Sequence, residues 1–246
     1  MEHGGKTVFG ATLGILMLET EFPRIPGDIG NATTWPFPVQ YRIVRGATPD
    51  KVVRGDAEAQ LGAFIAAGRD LVAHGCDGIA TNCGFLVPLQ DRMADALGVP
   101  VASSSLMQVA PVQRMLPAGR KVGIVTISAA SLSEEHLCAA GIAPQTPVAG
   151  TDAGREFTAR ILSDARSIDF ALARADVVEA ALRLQRECPE LGAIVLECTN
   201  MVPYAADVRR ATGLPVFSIY SYLLWFQAAL MPRRFGPELD DGGPAA

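Results

Sequence analysis

The sequence predicts an α/β fold in which parallel strands form two related halves. Short apolar runs alternate with stretches of helical periodicity, the pattern of repeated strand–helix–strand units. Most of the runs are rich in Val, Ile and Leu rather than alternating, as expected for strands covered on both faces. An internal repeat indicates that one such unit is present twice.

Eight strands and seven helices are expected. The strands are placed near residues 12–18, 39–44, 78–82, 100–103, 121–127, 145–149, 192–197 and 215–219. The helices are placed near 56–73, 86–97, 104–115, 131–140, 170–187, 201–211 and 220–230. Residues 20–38 contain prolines at 23, 26, 36 and 38 and are expected to form a long, functional or mobile loop. The stretch 236–246 is expected to be a disordered tail.

The internal repeat aligns residues 78–101 with residues 193–216. The two segments read GIATNCGFLVPLQDRMADALGVPV and AIVLECTNMVPYAADVRRATGLPV. Without a gap, an offset of 115 residues aligns Cys83 with Cys198, together with an Ile, two Val, two Pro and a Gly. Each cysteine follows a predicted strand and precedes a predicted helix. Because ligands bind at the carboxyl edge of open parallel sheets, we expect the two thiols to face each other across a cleft.

Two thiols at two helix starts suit proton-transfer chemistry. A helix N-terminus carries free N–H groups and partial positive charge, which lower the pKa of a thiol and favour the thiolate. The same N–H groups can hold a carboxylate. The small polar neighbours are Thr81, Asn82 and Gly84 in one half, and Thr199 and Asn200 in the other. Two acid–base groups on opposite faces of one carbon are what cofactor-free racemisation requires, with an oxyanion hole around the substrate carboxylate.

Composition and spacing argue against several other classes. The net charge is −5 and no basic stripe is present, so nucleic acid is not expected as a partner. Five cysteines with no C-x-x-C pair, and three widely spaced histidines, fit a reducing compartment and neither a disulfide framework nor a zinc site. The apolar run 8–18 is followed at once by Glu19 and Glu21, which favours a buried strand of a cytoplasmic protein over a signal or membrane segment. GGKT at 4–7 lacks the preceding glycine of a phosphate-binding loop.

The motifs TNCGF (81–85) and ECTNM (197–201) each end an apolar run, and KVGIVTIS (121–128) opens the second half. On these motifs the chain resembles the aspartate/glutamate racemase superfamily, which includes hydantoin racemase, maleate isomerase, arylmalonate decarboxylase and dimethylsulfoniopropionate lyase. The resemblance runs from about residue 8 to 230. It implies two pseudo-symmetric Rossmann-like domains, each with a four-stranded parallel sheet, and an active site in the cleft between them. We place the domains at 1–113 with 219–246, and at 114–218.

The resemblance also implies the roles of individual residues. Cys83 and Cys198 would be the catalytic pair, with no cofactor and no metal, acting on a small carboxylate-bearing substrate. The expected substrate-binding residues are Asn82, Gly84, Thr199, Asn200, Thr126, Ser128, Glu19 and Asn31. The last two lie in the segment 18–39 that follows the first strand. In that segment Arg24 is expected to be a solvated charge, with a carboxylate clamp as the alternative. Helix packing or a homodimer face is expected for the aromatic run 220–226.

The first functional hypothesis is a cofactor-independent amino-acid racemase of the aspartate/glutamate type. The alternative is a carbon–sulfur lyase of the dimethylsulfoniopropionate type with the same cysteines, or a related decarboxylase or isomerase. The loop sequence PGDIGN (26–31) favours the lyase, and Trp35, Glu19 or Glu21 would then meet the sulfonium group. A third hypothesis is a non-catalytic binding protein on the same scaffold.

Four further side chains carry expectations. The remaining cysteines, Cys76, Cys138 and Cys188, are expected to be small buried hydrophobes. Glu197, directly before the second cysteine, either tunes Cys198 or hydrogen-bonds the opposite turn, and the sequence leaves the two alternatives open.

Overall fold

The computed structural model describes residues 4–234, and these residues form two four-stranded parallel sheets. The first sheet consists of β1 to β4, which are Leu13–Leu18, Val39–Val44, Gly78–Thr81 and Val101–Ala102, in the order β2-β1-β3-β4. The second consists of β5 to β8, which are Lys121–Thr126, Val148–Gly150, Leu191–Leu196 and Val216–Phe217, in the order β6-β5-β7-β8. The same strand order in both halves confirms the predicted pair of Rossmann-like units.

Nine α-helices connect or follow these strands within residues 4–234. They are α1 to α9, namely Pro49–Val53, Leu61–Ala73, Gln90–Leu97, Val109–Met115, Glu134–Ala139, Phe157–Leu162, Phe170–Glu187, Ala205–Thr212 and Ile219–Leu230. Short 3₁₀ helices are Ala32–Thr34, Glu58–Gln60, Gly84–Leu89, Ser105–Gln108 and Thr199–Tyr204. The sequence did not predict α1 and α6, because five or six residues are too few to display a helical period.

The segment after each cysteine is a 3₁₀ helix, where the sequence predicted the start of an α-helix. Pro88 and Pro203 lie inside these two segments. Proline has no N–H to donate and its ring clashes with the carbonyl four residues earlier, so a regular α-helix is disfavoured there. In both halves the α-helix begins two residues after the proline, at Gln90 and at Ala205.

The repeat seen in the sequence is reproduced in the structure at the same offset of 115 residues. Gly84–Leu89 corresponds to Thr199–Tyr204, α3 to α8, and β4 to β8. Both α-helices end at a glycine in the left-handed conformation, Gly98 with φ 67° and Gly213 with φ 72°. The two cysteine turns therefore occupy equivalent places in two copies of one unit.

The last helix packs back on the first sheet. Ile219, Leu223 and Phe226 of α9 form one apolar cluster with Leu13 and Ile15 of β1. The domain boundaries stay a prediction, although this packing places α9 beside the first half. The predicted tail at 236–246 lies outside the described residues. Within residues 4–234, no helix combines the length and the apolar composition that a membrane span requires.

The two left-handed glycines give a stability prediction. We expect Gly98→Ala and Gly213→Ala each to destabilise the protein by about 1 kcal/mol, because an L-residue with a Cβ is strained at positive φ. No atom lies within 4 Å of the added methyl at either site, so backbone strain alone sets the cost. Gly62→Ala, exposed in α2, is the control and should stabilise by up to about 1 kcal/mol. Urea unfolding measures the free energy of unfolding of all three variants. Equal changes in the three variants would contradict the assignment of backbone strain to positions 98 and 213.

Candidate active site

Cys83 and Cys198 line the same small cavity. Cys83 follows β3 and Cys198 follows β7, so each thiol lies at the carboxyl edge of its own sheet. Both are nearly buried, with exposed fractions of 8% and 7%. The cavity has a volume of about 20 Å³, close to the space that one water molecule needs. A substrate with several carbon atoms can enter only if part of the cover moves.

The cover of the cavity is apolar and comes from both halves. Pro49 and Val53 of α1 contribute from the first half, and Ile161 and Leu162 of α6 from the second. The helices α1 and α6 contact each other. Phe22, in the loop after β1, lines the same cavity. The two short helices that the sequence did not reveal therefore enclose the thiols.

Burial raises the pKa of both thiols, and the prediction that the helix starts would lower it is wrong for this arrangement. Desolvation, reinforced by the charge of Glu197, raises the pKa of Cys83 to about 12. Desolvation and Glu197 also raise the pKa of Cys198 well above its usual range, with smaller contributions from Cys83 and Asp28. Backbone N–H groups of Phe85 and Asn200 favour the thiolates, as the sequence suggested, but their effect is smaller than the cost of burial.

Glu197 is a buried carboxyl group between the two cysteine turns. Its side chain lines the cavity and is only 1% exposed. Oε2 accepts hydrogen bonds from Thr126 Oγ1 at 2.9 Å and from the Ile127 N–H at 3.4 Å. Oε1 has no hydrogen-bond partner among the described residues. Burial raises the pKa of Glu197 to about 7, against which these two hydrogen bonds act.

The two turns are also hydrogen-bonded to each other. Thr199 Oγ1 donates to the Asn82 carbonyl at 2.7 Å, and both residues are buried. Asn82 Oδ1 accepts from the Leu18 N–H at 2.7 Å, at the end of β1. By the repeat, Asn82 is the counterpart of Glu197, which is held by the end of β5 in the same way. The same position thus carries an amide in one half and a carboxyl group in the other.

A polar chain connects the loop after β1 to the second thiol. Cys198 Sγ donates to Asn200 Oδ1 at 3.5 Å, and Asn200 Nδ2 donates to Asp28 Oδ2 at 2.6 Å. Asp28 Oδ1 in turn accepts from Arg24 Nη1 at 2.7 Å and from the Gly30 N–H at 2.8 Å. Asp28 is 4% exposed, and the side chain of its ion-pair partner Arg24 is 11% exposed. The PGDIGN segment is therefore ordered against the site through one buried carboxylate.

The sequence interpretation of Arg24 as a solvated loop charge is wrong. Its side chain lines the cavity, and Nη2 donates to Thr20 Oγ1 at 2.9 Å. The guanidinium also lies over the Phe22 ring, 4.3 Å from its centroid. The signal available in the sequence was the spacing of opposite charges at 24 and 28 within a proline-rich loop. That spacing alone does not distinguish a buried pair from an exposed one.

Of the predicted substrate-binding residues, the structure brings Asn82, Gly84 and Asn200 to the cavity with the two cysteines. Thr126 and Thr199 are buried beside it and hold Glu197 and Asn82 respectively. For these five residues, substrate binding stays a prediction.

Three other predicted binding residues lie apart from the cavity among residues 4–234. Glu19 is bonded to Arg45 and to the Gly46 N–H at the surface. Asn31 caps the turn that follows it, accepting from the Thr33 N–H. Ser128 is bonded to Ser131, and both line a separate, larger cleft.

The residues proposed to meet a sulfonium group are also engaged elsewhere. Trp35 stacks on Phe37 and Tyr220, and its Nε1 donates to the Ile29 carbonyl. Glu21 pairs with Arg166 at the surface. In the described part of the chain neither lines the cysteine cavity, whose aromatic residues are instead Phe22 and Phe85.

The remaining cysteines divide differently from the prediction. Cys76 and Cys188 are buried, as expected. Cys138 is exposed, because it lies near the end of the short surface helix α5. Its thiol is an internal reference for reactivity, since it lies outside the cavity lining.

No model of a known protein family matches the chain. It is 30% identical over 243 residues to dimethylsulfoniopropionate lyase 7 of Emiliania huxleyi (strain CCMP1516), an alignment that covers 92% of this chain and 69% of that protein. The chain belongs to the dimethylsulfoniopropionate lyase family. A member from Durusdinium sp. clade D is 26% identical over 235 residues and is covered to 77% of its length, and lyase 3 of E. huxleyi is covered to 61%. The lyase family members matched here are thus longer than the region they share with this chain.

Solved structures of arylmalonate decarboxylase and of two amino-acid racemases share the fold of this lyase family member. A variant of arylmalonate decarboxylase with an associated sulfate ion superposes with a TM-score of 0.60 at 16% identity, covering 92% of this chain and 97% of that one. Aspartate racemase of Picrophilus torridus gives 0.58 at 14% identity, with 92% and 96% covered. Glutamate racemase from Bacillus anthracis gives 0.55 at 14% identity, with 91% and 85% covered. These matches confirm the predicted fold, with two Rossmann-like halves.

The buried carboxyl group predicts an unusual pH dependence of stability. The folded pKa of Glu197, about 7, exceeds its ordinary value of 4.5, so the folded state binds more protons between these values and stability falls as pH rises. The penalty is present in full above pH 7 and amounts to roughly 3 kcal/mol. We expect Glu197→Gln, which cannot ionise, to gain about that much relative to wild type between pH 4.5 and pH 8.

Urea unfolding of both proteins at the two pH values measures this difference. Glu190→Gln is the control, since the Glu190 side chain is 40% exposed, lies outside the cavity lining and is paired with Lys121. A constant difference between Glu197→Gln and wild type would show that the pKa of Glu197 is the same in the folded and unfolded states.

Proposed function

We propose that this chain is a carbon–sulfur lyase that cleaves dimethylsulfoniopropionate by removing a proton next to its carboxylate. One observation carries the proposal: two thiols and a carboxyl group line a single cavity in a member of this lyase family. Three acid–base groups around one small space suit proton abstraction from carbon. The family membership directs the choice of substrate among the carboxylates that such a site accepts.

The proposed reaction is a β-elimination. A thiolate, from Cys83 or Cys198, takes a proton from the carbon next to the carboxylate. The C–H electron pair becomes the carbon–carbon double bond, and the bond from the β-carbon to sulfur breaks with its electron pair going to sulfur. The products are neutral dimethyl sulfide and acrylate, and the abstracted proton is left on the thiol. No oxidant, reductant or further reactant is needed.

The electrostatics of the cavity favour a substrate with a positive charge. Burial and Glu197 hold the thiols in the neutral form. A sulfonium group placed beside them would stabilise the thiolate, because an opposite charge at short range favours the ionised form. The rings of Phe22 and Phe85 line the cavity, and the face of such a ring attracts a cation.

The substrate carboxylate needs a positive or N–H-bearing partner in the same space. Arg24 lines the cavity, and its guanidinium is held in place by Asp28 and Thr20. Arginine presents five N–H donors in a fixed plane that suits a carboxylate, and these two bonds use only part of that set. We therefore assign the substrate carboxylate to Arg24 and to the backbone of the Gly84 turn.

Loss of either thiol tests the lyase proposal. We expect purified wild-type protein to release dimethyl sulfide from dimethylsulfoniopropionate, and Cys83→Ser and Cys198→Ser each to lower kcat by about 10²-fold or more, the usual effect of removing an acid–base group. Headspace gas chromatography measures the product. Cys138→Ser, which changes an exposed thiol, should keep wild-type activity. A wild-type protein that releases no dimethyl sulfide would refute the proposal.

A second candidate function is racemisation of an acidic amino acid, which the presence of both thiols in one cavity supports. The two functions differ in the fate of the proton. In heavy water, a racemase introduces deuterium at the α-carbon of recovered aspartate or glutamate, and a lyase acting on its own substrate releases dimethyl sulfide. We expect no deuterium in either amino acid. Incorporation that both Cys→Ser variants abolish would establish the racemase instead, and proton NMR of the recovered substrate measures it.

A further inference from the structure

One oxygen of the Glu197 carboxyl group has no role in the proton transfer by the cysteines described above. One carboxyl oxygen is fixed by Thr126 and Ile127, while Oε1 is buried without a hydrogen-bond partner in the described part of the chain. Buried polar atoms are rarely left unsatisfied. Here the unsatisfied atom belongs to a side chain that lines the thiol cavity, so it is positioned to exchange a proton with a group in that space.

Gly84 makes room for this oxygen. A Cβ added at position 84 would collide with Glu197 Oε1 and would lie about 3.0 Å from its carboxyl carbon. The carboxyl group from the second half therefore reaches into the turn of the first half, directly after Cys83. The repeat counterpart of Gly84 is Thr199, whose hydroxyl donates to the Asn82 carbonyl.

The carboxyl group is present in only one of the two repeated units. Asn82 occupies the position equivalent to Glu197, and both are anchored by the end of the neighbouring strand. An amide would satisfy that structural anchoring in both halves. A carboxyl group adds the ability to take up and release a proton.

The charged and titratable groups around Glu197 are limited to a few side chains. Cys83 and Cys198 face the cavity from the two turns, and Arg24 lines it from the loop. Asp28 lies behind Arg24 and Asn200 and is fixed by both. Among these groups the two thiols are the ones that can donate a proton to Glu197, because a guanidinium does not release its proton in proteins and the Asp28 carboxylate is engaged by Arg24, Gly30 and Asn200.

We propose that Glu197 is the proton acceptor that converts one of the cavity thiols into the reactive thiolate. This inference rests on the proposed lyase function for its substrate. The thiol proton moves to Glu197, which becomes neutral, and the thiolate then takes the α-proton of the substrate and returns to the thiol form. Glu197 releases its proton to water after the products leave. One turnover thus converts the substrate into dimethyl sulfide, acrylate and one solvent proton.

The charge balance explains why a carboxyl group is suited to this role. While Glu197 is ionised, its negative charge opposes formation of a thiolate beside it. Once it has accepted the proton, that repulsion disappears, and the thiolate forms next to a neutral group. A carboxylate that stays ionised cannot remove the repulsion, and an amide cannot accept the proton.

The test uses two readouts that move in opposite directions. In Glu197→Gln the repulsion is permanently absent, so the thiols ionise more readily, but the acceptor is lost. We expect alkylation of Cys83 and Cys198 by iodoacetamide to be about tenfold or more faster than in wild type at pH 9, and equal at pH 6, where Glu197 is protonated in wild type. We expect kcat for dimethyl sulfide release to fall by about 10²-fold or more, with a smaller change in KM.

Peptide mass spectrometry follows each cysteine, with Cys138 of the same molecule as the internal reference. Glu190→Gln is the matched control, a partly exposed glutamate in the same half, and should leave both readouts at wild-type values. Glu197→Asp, which retains an acceptor, should recover part of kcat and is the second variant if the glutamine variant does not fold.

Two results would overturn the inference. Equal alkylation of wild type and Glu197→Gln at pH 9 would mean that the carboxyl group does not influence the thiols. Faster alkylation with an unchanged or higher kcat would mean that Glu197 only repels the thiolate and accepts no proton. If wild-type protein cleaves no substrate, the proposed function fails, and the alkylation ratio alone decides whether Glu197 controls thiol ionisation.

Discussion

Three titratable groups are buried together in one small cavity, and their burial determines the chemistry of the site. Cys83, Cys198 and Glu197 are each less than a tenth exposed and share a space of about 20 Å³. Such groups keep their protons unless a partner compensates for the lost solvation. The fold supplies few internal partners, since one oxygen of Glu197 is left unpaired within the described chain. Compensation is therefore left to the substrate and to exchange of protons among the three groups.

The duplicated unit places the two thiols, and the positions at which its two copies differ add the carboxyl group. Two copies of a strand–turn–helix unit bring a thiol to the edge of each sheet, and the hydrogen bond from Thr199 to the Asn82 carbonyl joins the two turns. Where the copies differ, an amide is replaced by Glu197 and a hydroxyl by Gly84, and each change accommodates the other. The single loop after β1 breaks the symmetry further, because Asp28 reaches only the Asn200 side.

The sequence predicted the strands, the repeat and the cysteine turns well, because each leaves a local signal. Uninterrupted apolar runs mark β1 and β7, and the cysteine, proline and glycine positions recur at a fixed offset. It failed where the outcome depends on packing. The thiol pKa values rise because burial outweighs the backbone N–H groups, and burial is a property of α1 and α6, which are too short to display a period. Arg24 and Glu19 are both loop charges in the sequence, and only the fold decides that one is buried and the other exposed.

An infrared titration of the free protein observes the protonation of Glu197 and of the two thiols without any substrate. The difference between wild type and Glu197→Gln isolates the carboxylic C=O band of Glu197, and the S–H bands report the thiols. We predict that the C=O band disappears with a midpoint near pH 7 while the S–H bands of Cys83 and Cys198 persist through pH 9. A midpoint near 4.5, or thiols that ionise below pH 9, would contradict the account.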